Sequence, residues 1–172
     1  MNKSIIYIWL FSLACVFVQP VRVYDEMPDT IASKFDANGN ATEYTTKEQF
    51  IFLWSGVAVF VNGIMLGVAT ILWKVAPHTL NIPSKQYWLS NETRKKEAQG
   101  KLANGLALIA TICNLLFIIV FQALYKFSIE GKLPFSLLWV LIGYFVLMMG
   151  VIFYFLRSFR IPPETEYIPG IR

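Results

Sequence analysis

Charge is the first scarcity. Only 15% of the 172 residues are Asp, Glu, Lys or Arg, against about 25% in a water-soluble domain. Histidine occurs once, as His78, and cysteine twice, as Cys15 and Cys113. One histidine with no neighbouring Cys, Asp or Glu makes no metal site. Both cysteines lie inside apolar runs, where they serve as small hydrophobes and not as a disulfide framework. A Walker loop, a dinucleotide fingerprint, H-E-x-x-H, G-x-S-x-G and C-x-x-C are all missing. These absences exclude the common signatures of enzymatic chemistry, and no cofactor is expected.

What is present is apolar. Hydrophobic residues make up 56% of the chain and the mean hydropathy is +0.52. Four long runs stand out, at 5–21, 50–73, 105–125 and 134–156. About 20 helical residues cross a bilayer core, so the last three qualify outright. The first is short and ends at Gln19-Pro20. A secretory signal peptide is its rival reading, but no A-x-A pattern follows, and Ser12 spoils a lipoprotein site at Cys15. A retained first helix is expected. The fold class is therefore an all-α integral membrane protein, one domain over 1–172, a four-helix bundle with a structured loop between helices 1 and 2.

Orientation follows from lysine and arginine in the connections. With the N-terminus inside, the inner segments carry ten basic residues and the outer segments five. This predicts an outer loop at 22–49, an inner loop at 74–104, an inner tail at 157–172, and both termini in the cytoplasm. The net charge of +4 thus reports membrane orientation and not nucleic-acid binding. Trp54, Trp73, Trp139 and Tyr125 fall near the predicted ends, where interfacial aromatics sit. Three prolines leave the tail without a helix.

The membrane runs hold no Asp, Glu, Lys, Arg or His, which argues against a proton-coupled transporter. Their polar residues are Asn62, Asn114 and Gln122. These either bond between helices or line a polar path. Gly63 and Gly67 form a GxxxG, a close-packing face inside the bundle or against a partner. In the inner loop, Tyr87 and Trp88 precede the basic Arg94, Lys95 and Lys96. Ser90 or Asn91 can cap a helix running through them toward the third crossing. Basic residues beside aromatics suit a lipid surface, and a docking site for a soluble partner is the alternative. Asn40 and Asn91 each open a glycosylation triplet of the kind frequent by chance.

The outer loop contains FDANGNATEYTTKEQF, which begins like an EF-hand. Counted from Asp36, loop position 6 is Ala41 and position 12 is Lys47. Calcium loops need glycine and a bidentate glutamate there, so the stretch reads as a turn at Asn38-Gly39-Asn40. Phe35 and Tyr44 are expected to bury against the bundle, with the loop capping the ends of helices 1 and 2.

Around that turn, Met27-Pro28-Asp29, Ile31, Phe35-Asp36, Gly39, Tyr44 and Thr46-Lys47 occur in order just after a first helix. This spaced set resembles the outer-loop signature of bacterial and archaeal membrane proteins known as domain of unknown function 1648. NIPSKQYWLSNETR is similar to a second shared element. Ala32 replaces a usual proline and Lys34 a common histidine, so any role of that histidine is lost. The resemblance covers about the first hundred residues. It implies a relation to immunity-type membrane proteins that protect against a secreted toxin and signal its presence, although 172 residues are few for that full architecture. The expectation is a small non-enzymatic protein of a prokaryotic cytoplasmic membrane. Its role would be binding, sensing or service as an accessory subunit. Its partners would be the lipid bilayer and other membrane subunits or a secreted peptide, with no nucleic acid. An oligomeric transporter or channel is the alternative.

Overall fold

The computed structural model describes residues 2–36, 39–74, 79–133 and 135–161, with Leu137 described in its backbone only. Asn38, His78, Pro134 and the tail from Pro162 lie outside the described residues. Helix α1 spans Lys3–Val23 and runs into a 3₁₀ turn at Tyr24–Glu26. Strands β1 (Thr30–Phe35) and β2 (Ala41–Thr46) pair antiparallel. Helix α2 spans Lys47–Ile71, α3 Lys85–Trp88, α4 Glu92–Glu130 and α5 Leu137–Ser158. Four of these helices are long and apolar enough to cross a membrane, and the chain is a multi-pass membrane protein.

Local chemistry sets the helix ends. The side chain of Asn2 caps α1 by accepting the Ser4 N–H at 2.9 Å. Thr46 caps α2 by accepting from the Gln49 N–H at 3.3 Å. The sequence leaves Ser90 and Asn91 open as caps for α4, and Asn91 does the work, accepting the Arg94 N–H at 2.9 Å. An N-cap of this kind contributes about 1 kcal/mol. At the far end Gly131 adopts φ 69°, and its N–H donates to the Phe127 carbonyl at 2.8 Å. Glycine takes this left-handed conformation without a Cβ penalty.

Helix α4 is the hub. At 39 residues and 1.5 Å per residue it is about 58 Å long, roughly twice the hydrocarbon thickness. It therefore projects on both sides of a bilayer. The expected inner loop at 74–104 is shorter than predicted, because 92–104 continue this helix. Bonds along α4 fix the directions of its neighbours. The Asn2 N–H donates to Asn104 Oδ1 at 2.8 Å, Ser12 meets Asn114, and Gln19 meets Ile118, so α1 runs parallel to α4. Phe50 packs on Phe121 while Gln99 reaches the Leu72 carbonyl, so α2 runs antiparallel.

The bundle is lopsided. Helix α5 packs chiefly on α4, and none of its membrane span is buried. Its Leu138, Trp139, Phe145, Phe153 and Tyr154 are exposed. In water such a face would be a liability, whereas lipid tails are as apolar as the side chains themselves.

Three polar side chains join α1, α2 and α4 at mid-span. Asn62 Nδ2 donates to Asn114 Oδ1 at 2.8 Å, and Asn114 Nδ2 donates to Ser12 Oγ at 3.0 Å. The Trp9 indole N–H donates to Asn62 Oδ1 at 2.7 Å. Asn62 and Asn114 are 5% and 0% exposed. They are helix-to-helix glue, sealed from lipid and from any channel within the chain.

Candidate functional site at the hairpin end

The segment expected to be a turn is a two-stranded hairpin. Asp36 builds its tip. The carboxylate accepts the Asn40 backbone N–H at 2.8 Å and the Asn40 side-chain amide at 3.0 Å. Gly39 sits at φ 84°, beyond easy reach of other residues. Both Asp36 carboxylate oxygens thus hold the turn together, and no group of three or more metal-ligating side chains occurs among the described residues.

The signature residues divide into those that hold the hairpin and those that face away. Ile31 and Ala32 are fully buried. Ile31 enters a cluster with Met27, Phe50, Phe121 and Tyr125. The Ala32 N–H donates to Ser128 Oγ at 3.1 Å, and Phe35 meets Phe127 edge to face at 4.9 Å. The cap therefore sits on the end of α4, and not only on helices 1 and 2 as expected. Phe35 is half-buried and Pro28 likewise. Tyr44 corrects the expectation outright, being 59% exposed. Strand β1 occupies the edge facing α4 and turns the alternate side chains of β2 outward. Lys47 opens α2, with its N–H on the Asp29 carbonyl at 3.0 Å, its ammonium 3.5 Å from Asp29 and 5.0 Å above the Tyr24 ring.

Two grooves flank α4 beneath this cap. One lies between the hairpin, α2 and α4, and has a volume of about 460 Å³. Glu43, Tyr44 and Thr45 form its upper lip, and Leu53, Trp54 and Phe117 its wall. Trp54 stacks on Phe50 and meets Phe117 edge to face. Its indole N–H is buried with no acceptor, an expensive state for such a donor. The other groove lies between α1 and α4, with a volume of about 420 Å³. Gln19, Arg22, Glu26 and Tyr125 line its upper part, and Cys15, Val18 and Ile118 its lower part. The Tyr125 hydroxyl donates to Glu26 at 2.9 Å, and Gln19 Nε2 donates to the Ile118 carbonyl at 3.2 Å. Gln19 Oε1 is buried with no partner. Sequence reasoning gives Trp54 only an interfacial role and assigns no site to Gln19, Arg22 or Glu26. A polar residue every three or four positions at the end of an apolar helix was the signal available.

The basic end differs from its expected role. Tyr87 and Trp88 are 5% and 1% exposed, packed with Leu80, Ile82, Ala98 and Phe159. They fasten the connection to the protein itself and not to lipid. The Trp88 indole N–H donates to the Phe159 carbonyl at 2.9 Å, and the Lys101 ammonium lies 3.7 Å over the Trp88 ring. Arg94 stacks on Tyr87 at 4.1 Å, and Lys95 pairs with Glu92 at 3.1 Å. Of the three expected anchor cations, Lys96 alone is exposed, and Arg94 and Lys95 are half-buried. Gly63 is exposed and Gly67 half-exposed on α2, and nothing lies within 4 Å of a Cβ at either position. The GxxxG face packs on no other part of this chain among the described residues.

Four spans with a hairpin cap at one end and a packed connection at the other define a multi-pass membrane protein. Residues 10–59 match the model of the family described as Domain of unknown function (DUF1648). The match covers the second half of α1, the hairpin and the first half of α2, which together build the cap. An uncharacterized protein of Archaeoglobus fulgidus is 21% identical over 160 residues, spanning 90% of this chain and 86% of that one. No solved structure matches the chain.

Proposed function

We propose that this is a non-enzymatic binding protein of a prokaryotic cytoplasmic membrane, with the hairpin outside and both termini in the cytoplasm. Its partner is an extended segment of a secreted peptide or of a neighbouring membrane subunit, taken up along β2. The observation that carries this reading is the open groove of about 460 Å³ beneath β2, with the exposed Tyr44 on its lip and Leu53, Trp54 and Phe117 along its wall. Strand addition supplies main-chain bonds at an exposed edge, and pockets for alternate side chains supply selectivity. Tyr44, exposed on the lip, is the kind of rigid aromatic that anchors interfaces.

Two further features support the reading. The basic residues favour the hairpin-outward orientation by ten to five, and the resemblance to immunity-type proteins suits an outer face that meets a secreted peptide. The sealed Asn62–Asn114 pair weighs against a polar path through the chain, so we do not adopt the transporter reading. The test is photo-crosslinking in native membranes from position 44, with position 153 on α5 as control. A peptide or protein adduct at 44 and only lipid at 153 is expected, and Trp54→Ala, which removes part of the groove wall, should weaken the adduct. Lipid alone at both positions would reject the proposal.

A further inference from the structure

The α1–α4 groove, on the other flank of α4 from the peptide groove, has the layout of a ligand that is charged at one end and apolar at the other. Its lower part, at Cys15, Val18 and Ile118, is apolar. Its upper part carries one cation and several acceptors. Arg22 is exposed and makes no ion pair among the described residues. Gln19 and Glu26 stand three residues before it and four after it, so acceptors flank the guanidinium a turn away on either side. Gln19 Oε1 is buried without a donor. The Gln19 amide nitrogen donates to the Ile118 carbonyl, and its oxygen has almost no accessible surface, so the acceptor open to the groove is Glu26. Among the described residues Glu26 accepts from the Tyr125 hydroxyl at 2.9 Å, which leaves acceptor capacity on a carboxylate.

We infer that this groove binds a phospholipid with a primary-amine headgroup, of the phosphoethanolamine class. The phosphate accepts from Arg22, whose planar fork matches its oxygens. The adjacent ammonium brings three N–H donors to the Glu26 carboxylate, which has acceptor capacity beyond the Tyr125 hydroxyl. An acyl chain continues along Val18 and Ile118. A phosphocholine headgroup has the same charges but no N–H to give, and a phosphoglycerol headgroup has no cation for Glu26. The charge pattern thus selects among lipids that a purely apolar groove would not distinguish. This inference does not depend on the peptide reading, since the two grooves share no lining residue.

The test is native mass spectrometry of the full chain in detergent. The probes are phosphatidylethanolamine, phosphatidylcholine and phosphatidylglycerol of matched acyl chains, added singly and in competition. Retention of the ethanolamine lipid about tenfold over the choline lipid is expected, since a hydrogen bond to a charged group is worth about 1.5–3 kcal/mol. Arg22→Gln should abolish retention of the ethanolamine lipid. Glu26→Gln, which keeps an acceptor for Tyr125, should erase the preference over choline while the helical circular dichroism stays unchanged. Free phosphoethanolamine at millimolar concentration should fail to displace the lipid. Equal retention of choline and ethanolamine lipids, preference for phosphatidylglycerol, displacement by the free headgroup, or an unaffected Arg22→Gln variant would each overturn the inference.

Discussion

Asp36 illustrates how one side chain decides between two readings. Its carboxylate sits in a run that opens like a calcium loop, yet both oxygens are spent on Asn40. Millimolar calcium should leave the melting temperature of the detergent-solubilised protein unchanged, and isothermal calorimetry should detect no binding. Asn114 is the second residue whose role is narrow. It joins Ser12 on α1 and Asn62 on α2 from within α4. Asn114→Leu removes the bonds to Asn62 and Ser12 but leaves Asn62 bonded to Ala58 and Trp9, so it should cost about 1 kcal/mol, the scale of a hydrogen bond between membrane helices. Unfolding titrated with a denaturing detergent measures the loss. The polar character of Asn62 and Asn114 was legible in the sequence. Their mutual contact was not, because they stand 52 positions apart and only helix rotation brings them together.

At the scale of elements, the hairpin and the basic connection are the parts that fold onto α4 from outside the membrane. Ile31 is the nail of the hairpin. Ile31→Ala removes apolar volume from a site with no exposure and should cost about 2–4 kcal/mol. Hydrogen exchange should accelerate across 30–46 first, with the membrane helices unaffected. The α4–α5 contact has a different weak point. A Cβ on Gly105 would lie 2.9 Å from Phe155 Cδ2, so Gly105→Val must push α5 away, because close-packed interfaces resist added volume. A disulfide or crosslink engineered between the two helices should then form more slowly. The strands themselves were hard to foresee. The stretch from Thr30 to Thr46 is short and polar, and its apolar alternation is broken by a register shift between Ala32 and Lys34. Docking on α4 stabilises it, which a two-stranded hairpin alone does not achieve in water.

For the whole molecule, topology is the open quantity most easily measured. With the native cysteines replaced by alanine, Thr42→Cys should react with a membrane-impermeant maleimide in intact cells, and Lys96→Cys only after lysis. The reverse pattern would overturn the orientation drawn from the basic residues. The four spans themselves were readable from the sequence to within a few residues at most ends, since runs of apolar residues long enough to cross the bilayer have few other uses. What misled the reading was the assumption that every aromatic beside a basic residue meets lipid. Tyr87 and Trp88 are buried in the protein because α4 extends past the membrane and offers Ala98 and Lys101 as a wall.

The sequence by itself determined the solvent of this protein, the number of apolar spans, the bias of its basic residues and the family that its cap resembles. Each of these follows from composition or local order, which act residue by residue. Only the tertiary structure decided that α4 is the hub, that Tyr44 faces outward while Ile31 is buried, and that Gln19, Arg22 and Glu26 line one groove with Tyr125. Those facts depend on which face of each helix turns toward its neighbour. Lipid is as apolar as the protein interior, so hydrophobicity cannot assign those faces, and close packing and satisfied hydrogen bonds must.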